Sequence, residues 1–232
     1  MKTKIVVATI KPWNIKNARK FKKRYKKRYE VIIIDKKEDL SYEKLRIIDP
    51  RYIFIPHWSW MIPKDVYGGF ECVVFHITDL PYGRGGSPLQ NLILKGFKKT
   101  VISALQVNGG IDAGPIYLKI PLDLAGSAEQ IYRRASNLIY GKIIPHILKN
   151  RPCPVPQKGP VTCFRRRKPG ESRVPGKAGI QKLYDHIRML DAPGYPPAFL
   201  EKGKLRFEFS KAIMNDDYLT ASVRIIRKGE SS

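Results

Sequence analysis

The feature that most limits the fold is an alternation in the first half of the chain, where short β-branched runs are separated by amphipathic stretches. This is the pattern of βαβ units, whose strands lie parallel in one sheet under packed helices. Runs at Lys4–Ile10, Glu30–Asp35, Tyr52–Pro56 and Cys72–His76 read as strands, with helices between them at about Asn14–Arg28 and Tyr42–Ile48. A Gly-rich stretch at 83–86 leads into a helix at Leu89–Gly96 and a strand at Thr100–Val107. The tight turn Asn108-Gly109-Gly110 then returns the chain as an oppositely directed strand, Pro115–Ile120. Ser127 suits the N-cap of a long helix in which Ile131, Ala135, Leu138, Ile139, Ile143, Ile147 and Leu148 keep helical spacing, and Pro145 should kink or break it. From Asn150 to Gly179 the composition shifts to Pro, Gly and Arg, a linker with one short strand at Val161–Arg165. A helix at Ile180–Leu190 and two strand-like runs, Lys204–Ser210 and Thr220–Ile226, form the tail.

Composition narrows the function. The 232 residues are 43% apolar, enough to bury a core, and 18 Gly and 18 Pro without a period exclude collagen. Cys72, Cys153 and Cys163 are an odd, widely spaced set, which points to a reducing compartment and to packing roles. No run of 18 apolar residues exists and the N-terminus does not read as a signal peptide, so a soluble cytoplasmic protein without membrane contact is expected. The balance of 44 Lys+Arg against 20 Asp+Glu gives +24, a field that concentrates anions. Its densest block is Asn17–Arg28, where Ala18, Phe21 and Tyr25 fall on a helical stripe and the lysines fan into water. A solvated helix face is the plain reading and a polyanion contact the other. Charge enrichment as a stability trait would give the same pattern.

Several chemistries drop out. The turn after the first strand reads ATIKPWNIK instead of a GxGxxG, and P-loop, zinc-spaced Cys/His and nucleophile-elbow motifs are missing, so no metal site is expected. What stands out is Phe75–Asn91, FHITDLPYGRGGSPLQN, and Val107–Lys119, VNGGIDAGPIYLK. His76 ends an apolar run and Asp112 follows two glycines. Placed together at strand carboxyl ends, where open α/β sheets bind ligands, they would form a proton shuttle and its orienting carboxylate. A buried histidine satisfied by its neighbours and an aspartate serving turn chemistry are the alternatives.

Together these segments resemble the formyltransferases that use 10-formyltetrahydrofolate, the superfamily of methionyl-tRNA, glycinamide ribonucleotide and sugar N-formyltransferases. His76, Thr78 to Pro81 and Arg84-Gly85 match its Asn-x-His, Pro-turn and Arg-Gly motif, Asp112 to Ile116 match its Asp-x-Gly-x-Ile, and Pro56 to Pro63 are similar to its pterin loop. The resemblance implies an α/β, Rossmann-like catalytic domain with a mostly parallel sheet over 1–150, a linker over 151–179 and a small α+β appendage over 180–232. It implies His76 and Asp112 as catalytic residues. Trp60, Met61, Ile62, Asn108, Gly109 and Gly110 would hold the 10-formyltetrahydrofolate, and Thr78, Asp79, Arg84 and Gly85 the acceptor. Tail segments Phe164–Lys168 and Lys182–Phe199 look like those of sugar nucleotide formyltransferases, so a nucleotide-linked amino sugar is the expected acceptor. Methionyl-tRNA formylation or RNA binding through the basic surface is the alternative. Only 33 residues follow Phe199, too few for the C-terminal barrel of tRNA-acting relatives. The family's oxyanion-donating Asn would fall on Val74, which has no donor, so either Asn91, Asn108 or His57 substitutes for it or the chemistry is weak or altered. Arg84 and the cluster Arg165 to Lys168 are candidate phosphate ligands. Leu205, Phe207 and Phe209 alternate in the tail hairpin as a homodimer surface would.

Overall fold

The computed structural model describes residues 2–228; Met1 and 229–232, the outer ends of the first and last expected segments, lie outside them. The chain groups into two compact units, each built from separated stretches. The first holds Met1–Gly85, Thr100–Leu122 and Tyr132–Cys163, and the second Gly86–Lys99, Asp123–Ile131 and Phe164–Ser232. Residues 86–99 and 123–131, within the expected catalytic stretch, thus belong with the C-terminal residues.

In chain order the elements are β1 (Thr3–Ala8), α1 (Pro12–Tyr25), β2 (Tyr29–Ile34), α2 (Tyr42–Ile48), β3 (Tyr52–Ile55), α3 (Lys64–Gly69) and β4 (Cys72–His76). Then follow β5 (Arg84–Gly85), α4 (Pro88–Leu94), β6 (Lys99–Gln106), β7 (Ile116–Asp123), α5 (Ala128–Leu138) and α6 (Ile144–Asn150). The chain closes with β8 (Cys163–Phe164), α7 (Ile180–Arg188), β9 (Ala198–Lys202), β10 (Leu205–Met214) and β11 (Leu219–Arg227). A six-stranded sheet runs in the order β2-β1-β3-β4-β6-β7. Strand β1 pairs in parallel with β2 and β3, and β3 with β4, whereas β6 is antiparallel to β4. The expected α/β architecture with a mostly parallel sheet is therefore present.

Ile5, Val6, Val7 and Ala8 of β1 are all fully buried, as strands covered on both faces must be. Each of the Ile and Val side chains contributes about 1.5–3 kcal/mol relative to exposure. On one face Val6, Ala8, Ile53, Ile55 and Cys72 join Leu45 of α2 and Val66 of α3 in a single cluster, with Val74, Trp58, Ile62, Tyr67 and Val107 packed against it. Helix α1 packs elsewhere: Trp13 stacks on Tyr132 at 5.7 Å and Phe21 lies 6.2 Å from Tyr140. It starts earlier than its apolar stripe suggests because Pro12 fits the first helical turn, where its missing N–H costs nothing.

Ser127 and Gln130 form a reciprocal cap at the start of α5. Before Pro145 the helix widens into a π-turn, Ile139–Ile143. Proline cannot donate to the carbonyl four residues back and its ring crowds it, so a wider turn relieves both faults. The expected strand Val161–Arg165 is reduced to Cys163–Phe164. The reading of the cysteines as packing residues holds for Cys72 alone, since Cys153 and Cys163 are exposed. No helix among the described residues is long and apolar enough to cross a membrane.

The second unit carries a three-stranded antiparallel sheet, β11-β10-β9. Its register sets Phe207 between Leu200 and Ile225, and Phe209 opposite Val223. Leu205, Val223 and Ile225, on that face, are exposed.

Candidate active site

Strand β4 sets the site. Its residues alternate faces, so Val74 and His76 point the same way. Val74 packs on the apolar cluster with Trp58, Ile62 and Val107, and His76 closes the strand, buried. The following segment turns sharply through a cis Leu80-Pro81 bond and returns so that the Gly83 carbonyl lies 2.8 Å from His76 Nε2. Asp112 Oδ2 lies 3.4 Å from His76 Nδ1 and accepts from the Gly85 N–H at 2.9 Å. The expected pair is thus assembled, with each ring nitrogen facing an oxygen and the carboxylate fixed by backbone.

The route to this pairing differs from the sequence expectation. Because β6 is antiparallel to β4, it ends beside the start of β4, where the Val107 N–H donates to the Cys72 carbonyl. Asp112 does not leave a strand end next to His76; residues 107–115 double back along β4 to deliver it. Nor is the turn at Asn108-Gly109-Gly110. It closes between Gly110 and Ala113, with Asp112 at φ 49. Gly114 returns so close to β6 that a Cβ there would sit 1.8 Å from the Gln106 carbonyl oxygen.

Gln157, which nothing in the sequence singled out, holds this loop. Its amide donates to the carbonyls of Asp112 and Gly114, both at 2.8 Å, and its Oε1 accepts from Arg84 Nε and a terminal guanidinium nitrogen, at 3.2 and 2.8 Å. Thr162 accepts from the Gly83 N–H at 2.7 Å. Both residues lie in the stretch expected as linker. The only hint was its proline density, which suits an extended strap; an antiparallel bridge from Val155 to Ile116 anchors it.

Thr78 is fully buried, bonded to Gly83 and, through its carbonyl, to Ser103. Asp79 is exposed and pairs with Lys119 at 2.5 Å. Trp60 and Met61 are exposed at the end of β3, Ile62 is half-buried, and Trp58 meets Trp60 edge to face at 5.1 Å. The Trp58 indole nitrogen is buried without a hydrogen-bond partner among the described residues. Asn108 is exposed and its Oδ1 accepts from the Gly110 N–H, while its amide nitrogen has no partner among the described residues. Asn91, in the second unit, gives its amide to the carbonyls of Gly86, Ser87 and Arg165. His57 lies edge-on to Trp13 and Tyr132, and burial, assisted by Lys11, lowers its pKa to about 3, so it stays neutral. In the basic cluster Arg165 and Arg167 are tied to Glu171.

A mostly parallel sheet whose fourth strand ends in histidine, with an aspartate folded back onto it, fits the formyltransferase class that the sequence motifs resemble. The structure of a methionyl-tRNA formyltransferase from Clostridium thermocellum is 53% identical, covers 97% of this chain and 100% of its own, and superposes with a TM-score of 0.96. The chain belongs to the methionyl-tRNA formyltransferase family. The family model of the methionyl-tRNA formyltransferase C-terminal domain matches residues 169–226. A curated methionyl-tRNA formyltransferase from Thermodesulfovibrio yellowstonii is 26% identical over 66% of this chain and 52% of its own length. The chain spans little more than half the length of such curated relatives. A Mycobacterium tuberculosis protein described as a likely sugar N-formyltransferase shares the fold at 15% identity and TM-score 0.68, each chain covered fully.

These likenesses correct the weighting of the acceptor. Identity favours the tRNA alternative over the amino sugar, and the short tail is no argument against it, since residues 169–226 themselves match a C-terminal domain of the tRNA-acting family.

Proposed function

We propose that the chain is an N-formyltransferase that moves the formyl group of 10-formyltetrahydrofolate onto the amine of methionyl-tRNA. The observation that carries the reading is the His76–Asp112 pair, with Asp112 fixed by the Gly85 N–H. Free thiols at Cys72, Cys153 and Cys163 suit a reducing cytoplasm.

The residues present suit the donor. The exposed Trp60 and Met61 offer a flat apolar surface at the end of β3, and the buried, unpartnered Trp58 nitrogen is a donor waiting for an acceptor. Together with Ile62 and the 108–110 backbone these residues would hold the pteridine. When bound, 10-formyltetrahydrofolate supplies an electrophilic formyl carbon. The attacking amine must be neutral and would shed a proton as its nitrogen bonds to the formyl carbon and the donor's carbon–nitrogen bond breaks; His76, whose Nε2 donates to the Gly83 carbonyl, would take that proton up at Nδ1 beside Asp112 and pass it to the departing nitrogen. Position 74 offers no donor to the developing oxyanion. Asn108 starts its loop beside Cys72, at the opposite end of β4 from His76, so its free amide is not assigned that part.

The test is direct. Purified chain is mixed with 10-formyltetrahydrofolate and either methionyl-tRNA or a nucleotide-linked amino sugar, and tetrahydrofolate release and formylated product are followed. Formyl-methionyl-tRNA is the expected product. Formylation of the sugar alone would transfer the reading to the other acceptor, and no product from either would sink it.

A further inference from the structure

The first 29 residues hold twelve Lys or Arg and no Asp or Glu, and nine of the twelve fall between 16 and 28. These nine are exposed on α1 and the turn after it, and none forms an ion pair among the described residues. Helix physics accounts for part of this set. Lys22, Lys23 and Arg24 occupy the last turn of α1, where cations offset the negative end of the helix dipole. Lys16, Arg19 and Lys20 have no such support. Lys16 stands in the N-terminal half of a helix with no acid in its first turn, Arg19 and Lys20 stand at its middle, and the spacings Lys16/Lys20 and Lys20/Arg24 place like charges one turn apart, an unfavourable arrangement.

With Pro12 and Ile15 these three cations border a shallow, open depression of about 620 Å³ along one face of α1. The depression starts at an informative edge of the sheet. Pro12 follows the carboxyl end of β1, and the Thr9 hydroxyl (2.6 Å) and Asn14 amide (3.4 Å) both bond the Pro56 carbonyl, at the entry to the loop that carries Trp58 and Trp60. His76 closes β4 at the same edge, and only β3 separates β4 from β1 in the sheet, about 10 Å between strand axes. The start of α1, where the depression begins, therefore lies at the same sheet edge as His76.

A membrane does not suit this helix, because Trp13, Ala18 and Phe21, its apolar stripe, are buried in the fold and cannot insert. A chain of phosphates does, since it meets successive cations without any apolar face. We propose that the depression bordered by Lys16, Arg19 and Lys20 is a binding site for the phosphodiester backbone of the acceptor RNA. The proposal rests on the tRNA reading above for the identity of its ligand, not for its geometry.

Binding of a deacylated tRNA by fluorescence anisotropy, from about 50 to 200 mM salt, tests it. The triple variant Lys16→Gln, Arg19→Gln, Lys20→Gln should weaken binding about tenfold or more at low salt. It should also flatten the log–log salt slope by about 2, since each phosphate left without its cation removes roughly 0.7–0.9 from the slope. A second triple, Lys26→Gln, Lys27→Gln, Arg28→Gln, removes the same charge at the far end and should stay within about twofold of the parent. Unchanged binding by the first triple, or equal losses in both, overturns the site. A loss seen only with anionic lipid vesicles and not with tRNA also overturns it. Formyl transfer is read separately: a parent chain that holds tRNA through this site but makes no formyl product refutes the proposed reaction and supports the site.

Discussion

Two loops at the carboxyl edge of the parallel strands are built on opposite terms. The segment after β4, residues 77–85, spends nearly all its polar groups inside the protein: Gly83 on His76 and Thr162, Gly85 on Asp112, Thr78 on Ser103. The segment after β3 leaves Trp60 and Met61 exposed and the Trp58 nitrogen unpartnered. In the proposed reaction, a proton-handling pair gains from being held before any ligand arrives, because its geometry then costs nothing to assemble. A surface for a flat heterocycle gains from staying open. The contrast separates residues that should govern turnover from those that should govern affinity.

Breaking the rigid loop should have the largest effect. Asp112→Asn or His76→Ala should lower formyl-transfer turnover about 100 to 10,000-fold, with folate binding measured by calorimetry little changed. Gly114→Ala, which forces a methyl into the Gln106 carbonyl, should cost stability by about 1–3 kcal/mol in denaturant unfolding and reduce turnover as the loop shifts. Trp60→Ala sharpens the contrast from the other side: KM for the formyl donor should rise about tenfold while kcat and the melting temperature hold, as expected when only uniform binding is removed.

The smallest effect is with pH. Burial lowers the pKa of both His57, to about 3, and His186. The unfolded chain then binds protons that the folded chain refuses, so stability is full above about pH 6.5 and declines as pH falls, by at most about 1.4 kcal/mol per pH unit for each histidine. Melting temperatures from pH 7.5 down to 4.5 should fall steadily, and less so in His57→Gln.

Much of this was legible in the sequence where one residue pattern decides the outcome. β4 and α2 are bounded as the periodicity predicts because a continuous apolar run and a Ser41 cap mark them. Helix α3 was invisible: six residues ending in Gly68-Gly69 carry too little periodicity and too much backbone entropy to announce themselves. The His76–Asp112 pairing was read from strand-end placement and from motif resemblance, and the route given by the first differs from the structure, where a loop leaving the far end of β4 returns along it. Gln157 was unreadable, because an amide that braces two carbonyls 43 and 45 residues away has no local signature.

That brace also bears on how the protein could be taken apart. An excised catalytic fragment ending at Asn150, where the last long helix stops, would look complete by secondary structure. It would lack the amide that holds the Asp112 and Gly114 carbonyls and the hydroxyl that holds Gly83. A fragment that ends before Thr162 should therefore loosen the loops around His76 and Asp112, and a protease cut in the proline-rich strap should do the same without touching either residue.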